Sequence, residues 1–88
     1  MKEQKYIEQL KKEGFKYIFT HEDSPNAYYP NHSHDSLTAH VVLEGELTLT
    51  IKGKNKTYKK GRRIDVNRDI LHSAKIGPKG CRYIIGRK

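Results

Sequence analysis

The sequence predicts an all-β domain with one short N-terminal helix, and three observations carry that expectation. From Leu37 to Ile85, apolar and β-branched residues recur in short runs punctuated by Gly, Asn, Asp and Pro. No helix-length gap separates those runs, which argues against a parallel α/β arrangement. Helical apolar spacing occurs only near the start of the chain, over residues 3–13. The expected architecture is an antiparallel sandwich or small barrel, with residues 1–14 as the helical segment and 15–88 as the β unit of one domain.

Taken in order, Tyr6, Ile7 and Leu10 fall on one helical stripe among Lys and Glu, and Gly14 suits the C′ position. Such a helix of about three turns is marginal alone and must lie on something larger. Phe15, Tyr17 and Phe19 then alternate with polar residues in a strand-like rhythm, and His21 to Asn31, with Pro25 and Pro30, reads as loop. Leu37–Leu43 is the next run, turned by Glu44-Gly45; Leu47–Ile51 follows, ended by Gly53-Lys54-Asn55. Thr57-Tyr58 leads to Lys60-Gly61, then come Arg63–Val66, Ile70–Ile76 and Cys81–Ile85, with turns at Asn67-Arg68-Asp69 and Gly77-Pro78-Lys79-Gly80. On the Leu37–Leu43 strand, Leu37, Ala39, Val41 and Leu43 share one face, while Thr38, His40 and Val42 share the other. The fully apolar face needs a cover, and a second copy of the chain, giving a homodimer, would supply one.

Composition narrows the function classes. Of 88 residues, 34% are hydrophobic and 32% charged, so the core is small and a bound metal or a partner subunit would help to hold it. No apolar run approaches membrane-spanning length, so no membrane role is expected, and residues 1–20 show no secretory h-region. A lone cysteine, Cys81, allows no intrachain disulfide, which points to a reduced, cytoplasmic setting. The net charge of +8 is unevenly spread: residues 21–50 hold five acids and no Lys or Arg, whereas residues 51–88 hold thirteen basic residues and two acids. Lys52, Lys54, Lys56, Lys59 and Lys60 have only Tyr58 as an interleaved aromatic, unlike a single-strand reader, so a solvated face is expected and nucleic acid is not.

The acid-rich middle also contains four of the five histidines. His32 and His34, if extended, project from one face about 6.5–7 Å apart and can converge on one ion at about 2.0–2.1 Å each. His40 shares their even parity, provided Asp35-Ser36 does not turn the chain, and antiparallel folding can bring His72 across to the same cavity. A carboxylate-free imidazole set suits zinc, iron, nickel or copper as one divalent transition ion. His21, beside Glu22 and Asp23, reads as surface.

At these residues the sequence resembles the cupin family. His32-Ser33-His34, Thr38 and Gly45 fall in the register of the first cupin motif, with Asn26 at its opening Gly. Gly61 and His72 match the second motif, with Asn67-Arg68-Asp69 in place of Pro-x-Gly and Ile76 in place of the closing Asn. Asn and Asp tolerate the left-handed turns those glycines make. The resemblance implies a small cupin-type β-barrel, or jelly roll, with one divalent metal and a small-molecule ligand. Thr38 stands where the family places its metal-binding Glu, so His40, two residues on, is the expected substitute. That gives a site of His32, His34, His40 and His72, or a three-histidine site with His40 as a nearby base.

Cupins with such sites work as dioxygenases, isomerases or decarboxylases; others are non-catalytic binding or sensor modules, and the resemblance does not choose between them. No catalytic residue is assigned. Tyr28 and Tyr29 could gate the pocket but read first as loop anchors; Cys81, sharing a strand face with Tyr83, could face the cavity as a soft ligand or thiol but reads first as a buried packing residue; Arg62-Arg63 could meet an anionic substrate but reads first as a solvent-exposed turn.

Overall fold

A computed structural model describes residues 2–88. Helix α1, Lys2–Lys12, precedes six strands: β1 Tyr17–Asp23, β2 Tyr28–His32, β3 Thr38–Ile51, β4 Lys54–Lys59, β5 Arg63–Val66 and β6 His72–Arg87. All pairings are antiparallel. The main path runs β1-β6-β3-β4, with β2 paired to β6 and β5 paired to β3. The two long strands form the spine, and the short strands attach to their edges. The expected mostly-β antiparallel architecture with one short helix is what the chain adopts.

Helix α1 ends where Gly14 predicts. Gly14 has φ +94, its N–H donates to the Lys11 carbonyl, and the Phe15 N–H reaches back to that of Leu10. These are the two bonds of a Schellman cap, and Leu10 and Phe15 share one apolar cluster, as that cap favours. The same cluster contains Ala39, Val41, Leu43 and Ile84. Helix α1 therefore covers the apolar face of β3 within the chain itself, and the case for a homodimer built on that face loses its ground. Arg63 ties the helix end down by a two-pronged ion pair to Glu13 at 2.7 and 2.8 Å, so of the expected solvent-exposed Arg62-Arg63 turn Arg62 is exposed and Arg63 is half-buried. The other core cluster joins Val42, Leu47, Leu49, Val66, Ala74, Ile76, Cys81 and Tyr83, the side chains that face the barrel interior.

Three local expectations are corrected. The stretch His21–Asn31 is not a continuous loop: β1 runs to Asp23 and β2 begins at Tyr28. Only the segment between them turns, with Asn26 at φ +63. Pro30 is tolerated because β2 pairs with β6 alone and its register shifts between Tyr29 and His32. Glu44-Gly45 and Gly77–Gly80 do not separate strands either; they bend β3 and β6 where the two run together, with register shifts at Val42/Glu44 and Gly45/Leu47. Finally, Tyr17 and Phe19 are 66% and 47% exposed, while Ile18 between them packs against the helix-covered cluster. The period holds, but the start of the strand buries Ile18 on the opposite face, and the face of Tyr17 and Phe19 becomes half-buried only at His21 and Asp23.

At Gly45 (φ +81) an added Cβ would lie 2.0 Å from the Gly80 carbonyl oxygen, so the bend leaves no room for a side chain. Lys52-Gly53, with φ of +53 and +77, forms the two-residue turn that joins β3 to β4. No described helix is long and apolar enough to cross a membrane.

Candidate metal centre and ligand pocket

Strand β2 ends at His32, His34 follows in the connection to β3, and β6 begins at His72. Register pairs His32 directly with His72. His34 is held by its backbone, since its carbonyl accepts the Asp69 N–H at 2.9 Å. Asp69 stands at the Gly position of the second motif with φ +64, as its left-handed tolerance predicts. The turn of one motif thus fixes the histidine of the other. Ring centroids lie 4.3 Å apart for His32–His72 and 5.1 Å apart for each ring to His34, and one ligand nitrogen from each lies within 4.8 Å of the others.

Two of the three rings are held in a metal-ready tautomer. His32 Nδ1–H donates to the Pro30 carbonyl at 2.8 Å, and His72 Nδ1–H donates to the Ile70 carbonyl at 2.9 Å. Each bond reaches two residues upstream and commits Nδ1, leaving the Nε2 lone pair for a ligand. Burial, reinforced by the charges of His72 and His32, lowers the pKa of His34 and favours the neutral, ligating form. Tetrahedral coordination at about 2.0–2.1 Å places nitrogens about 3.4 Å apart, so closing on an ion asks each ring to move by about 1 Å or less. The donor set fits a divalent transition ion.

His40 lies outside this group of three, although it lines the same pocket. The chain bends at Asp35-Ser36, which breaks the parity linking His34 to His40. His40 is 9% exposed, pairs across the sheet with Ile64 and Ile85, and leaves its buried Nδ1 without a hydrogen-bond partner. Burial first, and then His34 and His72, push its pKa down to about 4. Thr38 is 1% exposed and donates its hydroxyl to the Ser36 carbonyl at 3.2 Å, so it is turned to the backbone.

The pocket has a volume of about 270 Å³. Besides the four histidines it is lined by apolar Phe19, Leu47, Ala74 and Ile85, and by a polar group that sequence reasoning missed: His21, Tyr29 and Tyr83. Behind them sits Asp23, its side chain 8% exposed. Asp23 accepts hydrogen bonds from His21 Nε2 at 2.8 Å, from the Tyr83 hydroxyl at 2.6 Å and from the Tyr29 hydroxyl. Burial works to raise the Asp23 pKa, but the bonds from Tyr29, Tyr83 and His21 outweigh it and hold the carboxyl below its ordinary value. The signal was in the sequence: continuing the period of Tyr17 and Phe19 puts His21 and Asp23 on one strand face, before the turn at Pro25. Cys81 is buried, and burial followed by the nearby Asp23 charge raises its thiol to about 11, so it packs rather than reacts, as expected.

A barrel of antiparallel strands with three convergent histidines beside an apolar pocket defines a cupin, as the two motifs imply. More narrowly, the chain belongs to the AraC-like ligand binding domain family, whose model matches residues 15–85. Among solved structures it is similar to an RmlC-like cupin from Shewanella frigidimarina (TM-score 0.71, 23% identity, covering 80% of this chain and 62% of that one). It is also similar to a cupin-like protein from Thermotoga maritima (TM-score 0.73, 20% identity, 81% and 55% covered) and to the DMSP lyase DddQ from Ruegeria pomeroyi (TM-score 0.73, 15% identity, 81% and 36% covered). The chain therefore spans only about a third to three fifths of the length of these structures. No curated protein matches it.

Proposed function

We propose that this domain binds a small molecule in the cupin pocket through one divalent transition ion held by His32, His34 and His72. The observation that carries this reading is the convergence of three ligand nitrogens within 4.8 Å of one another, with His32 and His72 locked in the tautomer that presents Nε2. A bound ion would polarise an oxygen of the ligand or acidify a coordinated water. The residues do the rest: three neutral imidazoles leave the ion's charge uncompensated, and the apolar wall favours a compact ligand with a carboxylate or similar oxygen donor. Elemental analysis of tag-free protein tests the proposal. About one equivalent of metal is expected, falling sharply in His32→Ala and His72→Ala; a chain that neither carries nor takes up zinc, nickel, copper or iron overturns it.

A catalytic reading is favoured by the three-donor set, which leaves coordination positions free for substrate or water. Fold likeness to a lyase at 15% identity supplies no reaction.

A further inference from the structure

The polar group around Asp23 has no part in holding the ion, and its chemistry is the opposite of the imidazole end. An ionised carboxylate can only accept, so His21 must donate from Nε2, and both phenols must donate their single proton. Three donors are committed to one buried anion. What His21, Tyr29 and Tyr83 have left to offer the pocket is acceptor capacity: hydroxyl lone pairs from the two phenols, and the Nδ1 lone pair when His21 is neutral. Hydrogen bonding to Asp23 raises the Tyr29 pKa, and burial followed by the same bond raises that of Tyr83, so both stay neutral phenols. Among the described residues, the only ion-pair partner of Asp23 is His21. Residues 21–50 contain no Lys or Arg that could cancel the charge locally.

We propose that His21, Tyr29 and Tyr83, positioned by Asp23, form a second subsite in the pocket that accepts hydrogen bonds and takes a ligand's ammonium or comparable donor group. Combined with the metal reading of the preceding section, on which this second step rests, the ligand is a small two-ended molecule. One end is an anionic oxygen donor for the ion, the other a cationic or N–H-rich group, and a short apolar stem between them lies against Phe19, Leu47 and Ile85. The roles are fixed by position: Asp23 does not line the pocket, whereas the three side chains it orients do.

The subsite is tested apart from the metal by NMR titration of the full chain, as purified and after chelator treatment, at about 0.15 M salt to screen the net positive charge. The probes are butylammonium, butanol and butyrate. Butylammonium is expected to bind chelator-treated protein about tenfold more tightly than butyrate, the equivalent of one charge-assisted hydrogen bond, and to shift the resonances of His21, Tyr29 and Tyr83. Asp23→Asn is expected to erase that preference. Should Asp23→Asn fail to fold, Tyr29→Phe keeps the ring, removes one acceptor and is expected to weaken butylammonium, and butanol to a lesser degree, while leaving butyrate unchanged. Equal binding of butylammonium and butyrate by the wild-type chain overturns the subsite, as does a preference that Tyr29→Phe leaves undiminished. With zinc added, 4-aminobutyrate is expected to bind more tightly than either single-ended probe; if it does not while the ammonium preference holds, the two-ended ligand falls and the subsite stands. Metal content alone decides the metal reading.

Discussion

His40 illustrates how one buried imidazole ties pH to stability. Its pKa in the fold is about 4, against about 6.5 in an unfolded chain, because burial first and then His34 and His72 oppose the charged form. Below pH 6.5 the unfolded chain takes up a proton that the folded one refuses, so stability is fully present above pH 6.5 and is lost as the pH falls toward 4. The whole shift corresponds to about 3 kcal/mol, and His34, lowered in the same direction, adds to it. Urea denaturation of chelator-treated protein is expected to show a midpoint that drops steeply between pH 7 and 5, and His40→Phe is expected to flatten that slope. An unchanged slope in the variant would mean that this ring is already solvated. Position 40 also marks the limit of local reasoning. Strand parity correctly placed Thr38, His40 and Val42 on the inner face, but a bend two residues long decides whether His40 continues the row of His34, and nothing in Asp35-Ser36 specifies its angle.

At the scale of elements, apolar periodicity exposed α1 and its cap but not its partner. Leu10 is fully buried against the outer face of β3, and that face looked unpaired in the sequence because nothing local links residue 10 to residues 39–43. Leu10→Ala is expected to cost about 2–5 kcal/mol, read as a lower urea midpoint, with the pocket chemistry unchanged. The long strands differ from the sequence expectation for a related reason. Glycine pairs with turn-like neighbours resemble hairpins, yet Gly45 and Gly80 let two continuous strands bend against each other. Gly45→Ala combines a positive φ with a Cβ inside van der Waals contact of the Gly80 carbonyl, so loss of cooperative folding is expected by calorimetry. The cupin-like spacing was legible because a motif encodes such a bend as well as its residues. Asp23 had no motif to announce it: strand period puts it on one face with His21, but its contacts with Tyr29 and Tyr83 come from the fold that brings β1 behind them.

For the whole molecule, the three histidines bring together side chains from parts of the chain that the backbone already joins, through the His32–His72 register and the Asp69 N–H to His34 carbonyl bond. His32 and His34 close β2 and the connection beyond it, while His72 opens β6 some forty residues later. An ion bound there connects those parts only in the folded state, because the unfolded chain does not preform the site. Binding free energy then becomes folding free energy, worth about 2.7 kcal/mol when free metal is a hundred times its dissociation constant. For a domain of this size each kcal/mol moves the thermal midpoint by about 4–8 °C, so saturating zinc or nickel is expected to raise it by about 10–20 °C. Chelation should reverse the shift, and His72→Ala should abolish it. His40→Ala separates the two ligand sets read from the sequence. A retained metal-dependent shift in that variant places His40 outside the coordination sphere, whereas its loss restores the four-histidine site, with the unpartnered Nδ1 as the natural fourth donor. A midpoint indifferent to every divalent metal would leave the three imidazoles as a half-buried polar cluster, and the pocket would then select its ligand through the Asp23 wall alone.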